Sequence, residues 1–189
     1  MREGVRMMAS AIGSIKNVKI FVLYLMQNVG RALDYVTLND IVMQTDYVMF
    51  LDFAEAFNQM VDDGLIVEAG ELDGDKLYEI SAKGVCVAES MASDILSSIL
   101  DKSLAAALRY LDFKKRGITA KCTWEKQSEG AYLVSCSLTE QGNVIFSTVL
   151  TVDSADRARR MADNFRDRPE VIYRGVHALL AGNMNFLFD

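Results

Sequence analysis

The chain has 189 residues, of which 51% are hydrophobic, and a formal net charge of −6. This length and apolar content favour two small domains with substantial cores over one large domain. The longest apolar runs are much shorter than the roughly 18 residues that a transmembrane helix needs, and the apolar patch at residues 7–12 is too short for a signal sequence, so a cytoplasmic protein without a membrane span is expected.

The charges are segregated along the chain. Residues 1–31 contain five basic residues and one acidic residue, whereas residues 32–75 contain eleven acidic residues and no lysine or arginine. The segment from residue 109 to the end has a small excess of basic residues, with clusters at Lys114–Arg116 and Arg157–Arg160. Any partner that contacts residues 32–75 therefore meets a negative surface.

The first helix is predicted over residues 15–29, after an N-terminal tail formed by residues 1–14. Apolar residues at Ile15, Val18, Val22 and Met26 recur at helical spacing. Phe21 and other apolar residues widen this stripe, which indicates that the helix is buried on two sides.

Two further helices are predicted in residues 37–63. Thr37 is expected to cap the second helix, and Asp40 completes a variant of the capping box. The third helix begins near Leu51 and carries an apolar stripe that includes Phe53 and Phe57. It ends at Asp62-Asp63-Gly64, where the glycine suits the left-handed position after a helix.

A hairpin is predicted after the third helix. Residues 65–67 form its first strand, residues 70–75 form a polar loop at its tip, and residues 76–80 form the returning strand. Ser81 stands where the N-cap of the next helix is expected.

Two pairs of segments carry a resemblance to a known family. The segments DDGLIVE and KLYEISAKG, which follow a helix and enclose an acidic loop, resemble bacterial winged-helix transcriptional regulators. The segments YLVSCSLTEQGNVIFSTVLTV and ADRARRMADNF are similar to the C-terminal half of an uncharacterised bacterial winged-helix family, a domain of unknown function. The resemblance spans about residues 16–181. It implies an α+β protein with a winged helix-turn-helix domain over residues 15–84 and a regulator-like function.

The third helix is the recognition helix of the winged-helix domain that this resemblance implies. Positions three or four apart share one face of a helix, so its outward face is predicted to carry Asp52, Glu55, Asn58, Gln59 and Asp62. DNA affinity comes largely from Lys and Arg, and carboxylates at that surface repel phosphates. The acidic residues are interpreted either as a solvated surface or as an anionic docking surface.

The candidate phosphate contacts lie on both sides of the acidic segment. They are Arg31, Lys76 and Lys83. A dimer could also bring the N-terminal basic residues close to the third helix, so DNA remains one expected class of partner.

Residues 85–116 are predicted to link the two domains through helices. Two helices are expected, with a break at residues 97–98 or 101–103, and one bent helix is the alternative. The apolar stripe of this segment consists of Met91, Ile95, Ile99, Leu104, Leu108 and Leu111. It is predicted to pair between the subunits of a homodimer, and packing against its own domain is the alternative.

Residues 117–182 are predicted to form three antiparallel strands and two helices, followed by a tail over residues 183–189. Alternation along each strand places apolar side chains on one face of the sheet and polar side chains on the other. The apolar face includes Cys122 and Trp124 of the first strand. The second strand contributes Tyr132, Val134, Cys136 and Leu138, and the third strand contributes Val144, Phe146, Thr148, Leu150 and Val152. Ser154 is expected to cap the first of the helices and Pro169 to begin the second.

No enzyme, cofactor or metal site is predicted. The three cysteines are Cys86, Cys122 and Cys136, and they lack Cys-x-x-Cys spacing. Neither a disulfide framework nor a zinc site is therefore predicted, and buried thiols are expected. The only histidine, His177, has no acid or cysteine at ligand spacing. No phosphate-binding loop or calcium-binding loop pattern occurs.

Two functions from different classes are therefore considered. The first, implied by the resemblance, is a dimeric DNA-binding transcriptional regulator. The second, indicated by the charges, is a protein–protein interaction module that uses the acidic face or the polar face of the sheet. A small-molecule pocket between the sheet and the helices is a third hypothesis.

Overall fold

The computed structural model describes residues 10–127 and 130–184. The chain divides into two compact units, Met1–Tyr110 and Leu111–Asp189. The described residues form a mixed α+β fold with seven α-helices and two antiparallel three-stranded sheets.

The first unit contains most of the helices. Its elements are α1 (Ile15–Val29), β1 (Leu33–Asp34), α2 (Tyr35–Val42), α3 (Phe50–Asp62), β2 (Ile66–Leu72), β3 (Asp75–Ile80) and α4 (Ala82–Met91). A short 3₁₀ helix (Ala92–Asp94) precedes α5 (Ser97–Lys115), within which the division between the units falls. The second unit continues with β4 (Thr119–Lys126), β5 (Tyr132–Glu140), β6 (Asn143–Val152), α6 (Ala155–Asp167) and α7 (Pro169–Leu180).

Helix α1 is the centre of the first unit. It packs against both α3 and α4, and Val18, Phe21, Val22 and Leu25 are completely buried. Burial of each such side chain contributes about 1.5–3 kcal/mol to folding. The broad apolar face predicted for this helix is confirmed.

Helix α2 begins three residues earlier than predicted. Its N-cap is Asp34, whose carboxylate accepts a hydrogen bond from the backbone N–H of Thr37 at 2.7 Å. The prediction that Thr37 caps this helix is wrong, because Thr37 is buried inside the first turn and its hydroxyl donates to Asp34. Strand β1 positions Asp34 by pairing with β3, and a two-residue strand is too short to show a period in the sequence.

Helix α3 ends as the sequence predicts. Gly64 has φ of +66°, its N–H donates to the carbonyl of Val61 at 3.0 Å, and the N–H of Leu65 donates to the carbonyl of Met60 at 2.8 Å. These two bonds form a Schellman motif, which satisfies carbonyls at the end of the helix.

The hairpin is longer than predicted, and its turn is shorter. Strand pairing continues to Leu72 and Asp75, and only Asp73 and Gly74 form the turn. Both turn residues have positive φ, +54° and +92°, as a two-residue hairpin turn of type I′ requires. The predicted polar loop over residues 70–75 is therefore wrong, since the exposure of these residues to solvent does not prevent them from pairing.

Two helices follow the hairpin, as expected, although the break lies elsewhere. Ser81 caps α4 by accepting from the N–H of Gly84 at 3.0 Å, which confirms that prediction. The helical path is interrupted over residues 92–96, whereas residues 97–103 are helical. Ser103 is completely buried and its hydroxyl lies 3.5 Å from that of Thr45. Tertiary packing here overrides the weak helix propensity on which the predicted break depended.

The second unit is built on a sheet with the strand order β4-β5-β6, which α6 covers on one face. Val134, Cys136 and Leu138 alternate into the core, as predicted. The core residues are Phe113, Cys122, Val134, Cys136, Leu138, Ala158, Ala162 and Phe165. The capping role of Ser154 and the helix start at Pro169 are confirmed.

Strand β6 departs from the predicted alternation at its beginning. Phe146 pairs with Leu138 and Val144 pairs with Thr139, so Ile145 is the extra residue of a bulge. Ile145 packs against the core, and Val144 is 65% exposed. The prediction that Val144 faces the core is therefore wrong, because a bulge shifts the alternation by one residue.

The cysteines also differ from the expectation. Cys122 and Cys136 are opposite each other on β4 and β5, with their Cα atoms 4.2 Å apart, and form a disulfide. Cys86 is a free, exposed thiol. The predictions that no disulfide forms and that all three thiols are buried are wrong, since antiparallel pairing brings together residues whose spacing in sequence gives no signal.

No membrane-crossing helix occurs among the described residues: each is too short or too polar to traverse a bilayer.

Candidate functional site

An aromatic cluster fixes the position of α3 in the first unit. The ring of Phe57 lies 4.8 Å from that of Tyr35 and 5.0 Å from that of Tyr78, both in edge-to-face contact. Phe53 packs beside them and is fully buried. Each such pair contributes about 0.5–1.5 kcal/mol beyond its buried area, so one face of α3 is held firmly and the opposite face is presented outward.

The outward face of α3 carries three of the five predicted residues in exposed positions. Glu55, Asn58 and Asp62 are exposed, and they are three or four residues apart on one side of the helix. Gln59 is partly buried and donates a hydrogen bond to Glu55 Oε1 at 2.9 Å. The sequence therefore placed the polar side of this helix correctly for four residues.

Asp52 has a different role. Its carboxylate accepts hydrogen bonds from the backbone N–H of Ser10 at 2.9 Å and from the Ser10 hydroxyl at 2.5 Å. The same hydroxyl accepts from the backbone N–H of Met49 at 2.9 Å, and Ser10 is buried. Asp52 thus ties the chain at Ser10 to the first turn of α3. Its placement on the free outward face was wrong because the contact crosses 42 residues of sequence.

The beginning of α3 exposes large apolar side chains that are not among the predicted site residues. Met49 is exposed, Phe50 is 53% exposed and Leu51 is 76% exposed. A helix buries only one side, so three consecutive apolar residues at its start could not all face the core, and this was the available signal. We define the α3 surface as Met49, Phe50, Leu51, Glu55, Asn58 and Asp62.

The hairpin adds further carboxylates to the first unit. Glu68, Glu71, Asp73, Asp75 and Glu79 are all exposed on β2, on β3 or at the turn. Lys76 is the only basic residue of these two strands. The hairpin therefore presents a negatively charged surface.

Two of the three candidate phosphate contacts are held by contacts within the chain. Lys76 Nζ lies 2.8 Å from Glu68 Oε2, and this hydrogen bond raises the pKa of Lys76. Lys83 Nζ donates to the carbonyl of Asp63 at 2.7 Å, at the end of α3. Arg31 is exposed just after α1.

A family model described as "Domain of unknown function (DUF4364)" matches residues 18–180. The chain belongs to this family. The match begins within α1 and extends to the end of α7, so the α3 surface and the C-terminal sheet are both parts of the DUF4364 domain. No curated protein and no solved structure matches the chain.

The predicted dimer stripe is divided between buried and exposed positions in this DUF4364 chain. Ile95 and Leu111 are buried, whereas Leu108 is exposed. Met91, Ile99 and Leu104 are partly buried. The role of the stripe as a subunit interface stays a prediction. Its buried members already pack against other residues of the same chain.

Helix α5 packs against the first unit through its other side chains. Leu100, Ser103 and Ala107 are buried on one side of it. The hydroxyl of Tyr110 donates to Asp40 Oδ2 at 2.5 Å. These contacts favour the alternative in which the helix packs against its own domain.

The described residues do not bring the titratable side chains into a chemical constellation. No three His, Cys, Asp or Glu side chains among them are grouped as metal ligands. His177 is exposed, and its ring lies 4.4 Å from that of Tyr173. What the α3 surface offers is apolar contact area beside carboxylate acceptors, which is suited to binding.

Proposed function

We propose that this chain is a winged-helix protein of the bacterial regulator type that acts by binding another protein through its α3 surface. The succession of α1, α2, α3, the β2–β3 hairpin and α4 supports the winged-helix part of this proposal. It is the order that the resemblance to winged-helix regulators implies for residues 15–84.

The observation that carries the proposal is the composition of the α3 surface. Leu51 is 76% exposed and lies one helical turn before Glu55 on the same side of α3, while the adjacent Phe50 is 53% exposed and Asp62 lies two turns beyond Glu55. Burial of apolar surface yields roughly 25 cal/mol per Å². An exposed apolar patch with a polar rim is typical of a protein interaction site.

The charges around α3 favour a protein partner over a DNA duplex. Residues 32–75 contain no lysine or arginine, and Lys19 of α1 is already paired with Asp63, at the end of α3, at 3.0 Å. Phosphate contacts supply most of the affinity of DNA-binding proteins and position their base contacts. A partner that places lysine or arginine beside apolar side chains complements this surface.

The proposal is tested by quantitative capture from an extract of the source cells with the tagged full chain. Leu51→Ser and the double variant Glu55→Lys, Asp62→Lys change the α3 surface, and Leu180→Ser is the matched control because Leu180 is comparably exposed in the second unit. We expect a specific protein whose recovery falls at least about tenfold with either change to the α3 surface, as loss of an interface anchor predicts. Equal recovery by all three variants would contradict the proposal.

DNA-directed regulation is the second candidate function. Exposed ion pairs such as Lys76–Glu68 contribute little to stability because solvent screens them, so a phosphate could recruit such a lysine. Asn58 is exposed on α3 and has the chemistry to contact adenine.

The two candidates are distinguished by fluorescence polarisation with genomic DNA fragments at low salt. Protein docking predicts no saturable binding of DNA by the folded chain. A DNA-binding regulator predicts saturable binding that weakens steeply with salt and strengthens in the Glu55→Lys, Asp62→Lys variant, since two repulsive charges become attractive.

A further inference from the structure

The two outer strands of the C-terminal sheet have very different edges. Strand β4 carries Lys121, Glu125 and Lys126 among its eight residues. Strand β6 has ten residues, Asn143–Val152, without a charged residue or a proline. Proteins protect the edges of their sheets with charges and prolines, because an edge is a template for pairing with another chain. Only β4 has this protection.

The outer edge of β6 is open within the described part of the chain. The sheet order ends with β6, and no backbone or side-chain hydrogen bond between described residues reaches the outward row of β6 peptide groups. Half of the N–H and C=O groups of a strand point toward each side. These outward groups are therefore available to another strand.

The side chains along this edge are also suited to pairing. Val149 is 57% exposed and the adjacent Leu150 is 45% exposed. Adjacent residues of a strand point to opposite faces of the sheet, so apolar surface is available on both faces at the same place. Val, Ile, Phe and Thr, which favour strands, make up most of β6.

We propose that β6 is a homodimerisation edge, which pairs antiparallel with β6 of a second copy of this chain to form a continuous six-stranded sheet. A two-fold axis brings identical strands together, and because β6 carries no charge, no like charges are brought opposite each other. The charged β4 edges end the sheet on both sides, so the assembly closes at two copies. This interface is separate from the α3 surface and does not depend on the proposed function.

The expected affinity follows from the size of the contact. One strand pair buries less than the roughly 1,600 Å² of a standard interface. We therefore expect a dimer that dissociates in the micromolar range, with every outward peptide group of the paired segment bonded to its partner.

The experiment is sedimentation velocity of the full chain from about 1 to about 300 µM, which brackets the Kd expected for a contact of this size. Val149→Lys places a charge at the edge, and Thr123→Lys is the matched control. Thr123, Ser135 and Val149 form one row across the sheet, so the control places the same charge on the same face of the opposite edge. We expect a concentration-dependent dimer for the wild type and the control, and at least about tenfold weaker dimerisation for Val149→Lys.

Hydrogen exchange of the wild-type chain provides a measurement that needs no variant. Amides in the outward row of β6 are expected to be protected at the high concentration and to exchange at the low one, while those of β4 do not change. A wild type that is monomeric throughout, assemblies larger than two, equal dimerisation of Val149→Lys, or concentration-independent exchange in β6 would each overturn the proposal.

Discussion

Gly84 lies where α4 approaches the rest of the first unit most closely. A Cβ atom at this position would overlap the backbone carbonyl oxygen of Leu65 and would lie 2.8 Å from Ile80 Cγ1 and 3.2 Å from Leu23 Cδ2. The carbonyl of Leu65 is itself held, since it accepts from the backbone N–H of Ser81 at 3.0 Å. The absence of a side chain is therefore a packing requirement at this residue.

We expect Gly84→Ala to destabilise the first unit by about 1–2 kcal/mol, which is the cost of overpacking less the gain in helix propensity. Alanine is favoured over glycine in a helix by about 1 kcal/mol, but overpacking against backbone costs about 1–3 kcal/mol or more, and here a fixed carbonyl blocks relaxation. The measurement is urea unfolding followed by far-UV circular dichroism. Lys102→Ala, at an exposed position of α5, is the control and should change stability by less than about 0.5 kcal/mol. A stabilised Gly84→Ala variant would contradict the packing described above.

The cysteine pairing yields a second expectation for individual residues. The chain has three cysteines, and the Cys122–Cys136 disulfide leaves Cys86 as the free thiol. Maleimide labelling followed by mass spectrometry of the native chain should therefore modify Cys86, which is exposed, and denaturation without reductant should add no label. Reduction before denaturation should make all three residues reactive. In Cys86→Ser, any labelling without reduction would show that the disulfide is not formed.

At the scale of single elements, helix caps are predicted correctly where the cap side chain and the N–H that donates to it lie in an ordinary local pattern. Ser81 and Ser154 are both followed at the third position by the N–H that they bind. The prediction for Thr37 is wrong because Asp34, three residues earlier, is a competing cap. Asp34 is held in place by the pairing of strand β1 with β3. A local sequence pattern cannot show which of two acceptable residues caps a helix when pairing with a strand distant in sequence determines where the helix begins.

We expect Asp34→Ala to reduce stability by about 1–2 kcal/mol, since the N–H groups of the first turn of α2 lose their acceptor. Asp34→Asn keeps an acceptor oxygen at the same position and is the matched control, with a smaller loss. Thermal unfolding of the three proteins checks the order. If Asp34→Asn and Asp34→Ala were equally destabilised, the cap would not be the origin of the effect.

The β2–β3 hairpin shows the limits of composition as a guide to an element. The polar residues 70–75 were assigned to a loop, yet only Asp73 and Gly74 leave the ladder. The dipeptide Asp-Gly between two strands is itself a strong hairpin signal. Strand pairing of polar residues is decided by backbone hydrogen bonds to the facing strand, which composition does not report.

On the scale of the whole molecule, the two units can be followed separately in solution. The only tryptophan, Trp124, lies in β4 of the second unit. The core cluster of that unit consists of residues from the second unit alone. Tryptophan fluorescence therefore reports on the second unit, whereas far-UV circular dichroism reports on the helices of both.

We expect Gly84→Ala to move the circular dichroism transition to lower urea and to leave the tryptophan transition unchanged, because the substitution lies in the first unit. Non-coincident transitions are the standard sign that unfolding is not two-state. Helix α5 runs through the division between the units and is the element that could couple them. Equal shifts of both transitions would show that the chain unfolds as one cooperative body.

The distribution of charge decides which surfaces are available for partners. The eleven acidic residues of 32–75 were evident from the sequence, and Glu55, Asn58 and Asp62 are exposed as expected. The exposed apolar start of α3 and the use of Asp52 in holding Ser10 were not evident. Together they change the α3 surface from a purely acidic face to an apolar patch with an acidic rim, and this composition is the basis for proposing a protein partner.

The sequence by itself determined those features that depend on neighbours along the chain. These include the helical periodicity of α1 and α3, the Schellman ending at Gly64, the caps Ser81 and Ser154, and the alternation in β5. Each results from side chains and peptide groups within a few residues of one another. Periodicity and capping chemistry are therefore readable before any fold is known.

Only the tertiary structure decided the features that depend on residues distant in sequence. Asp52 meets Ser10 across 42 residues, Cys122 meets Cys136 through strand register, and a bulge in β6 turns Val144 outward. The tertiary structure likewise decided that Ile95 and Leu111 are buried and that the uncharged strand β6 lies at an edge of its sheet. These contacts form when the core of each unit packs. The same spacing of residues along the chain is compatible with several different packings, so the sequence pattern does not specify them.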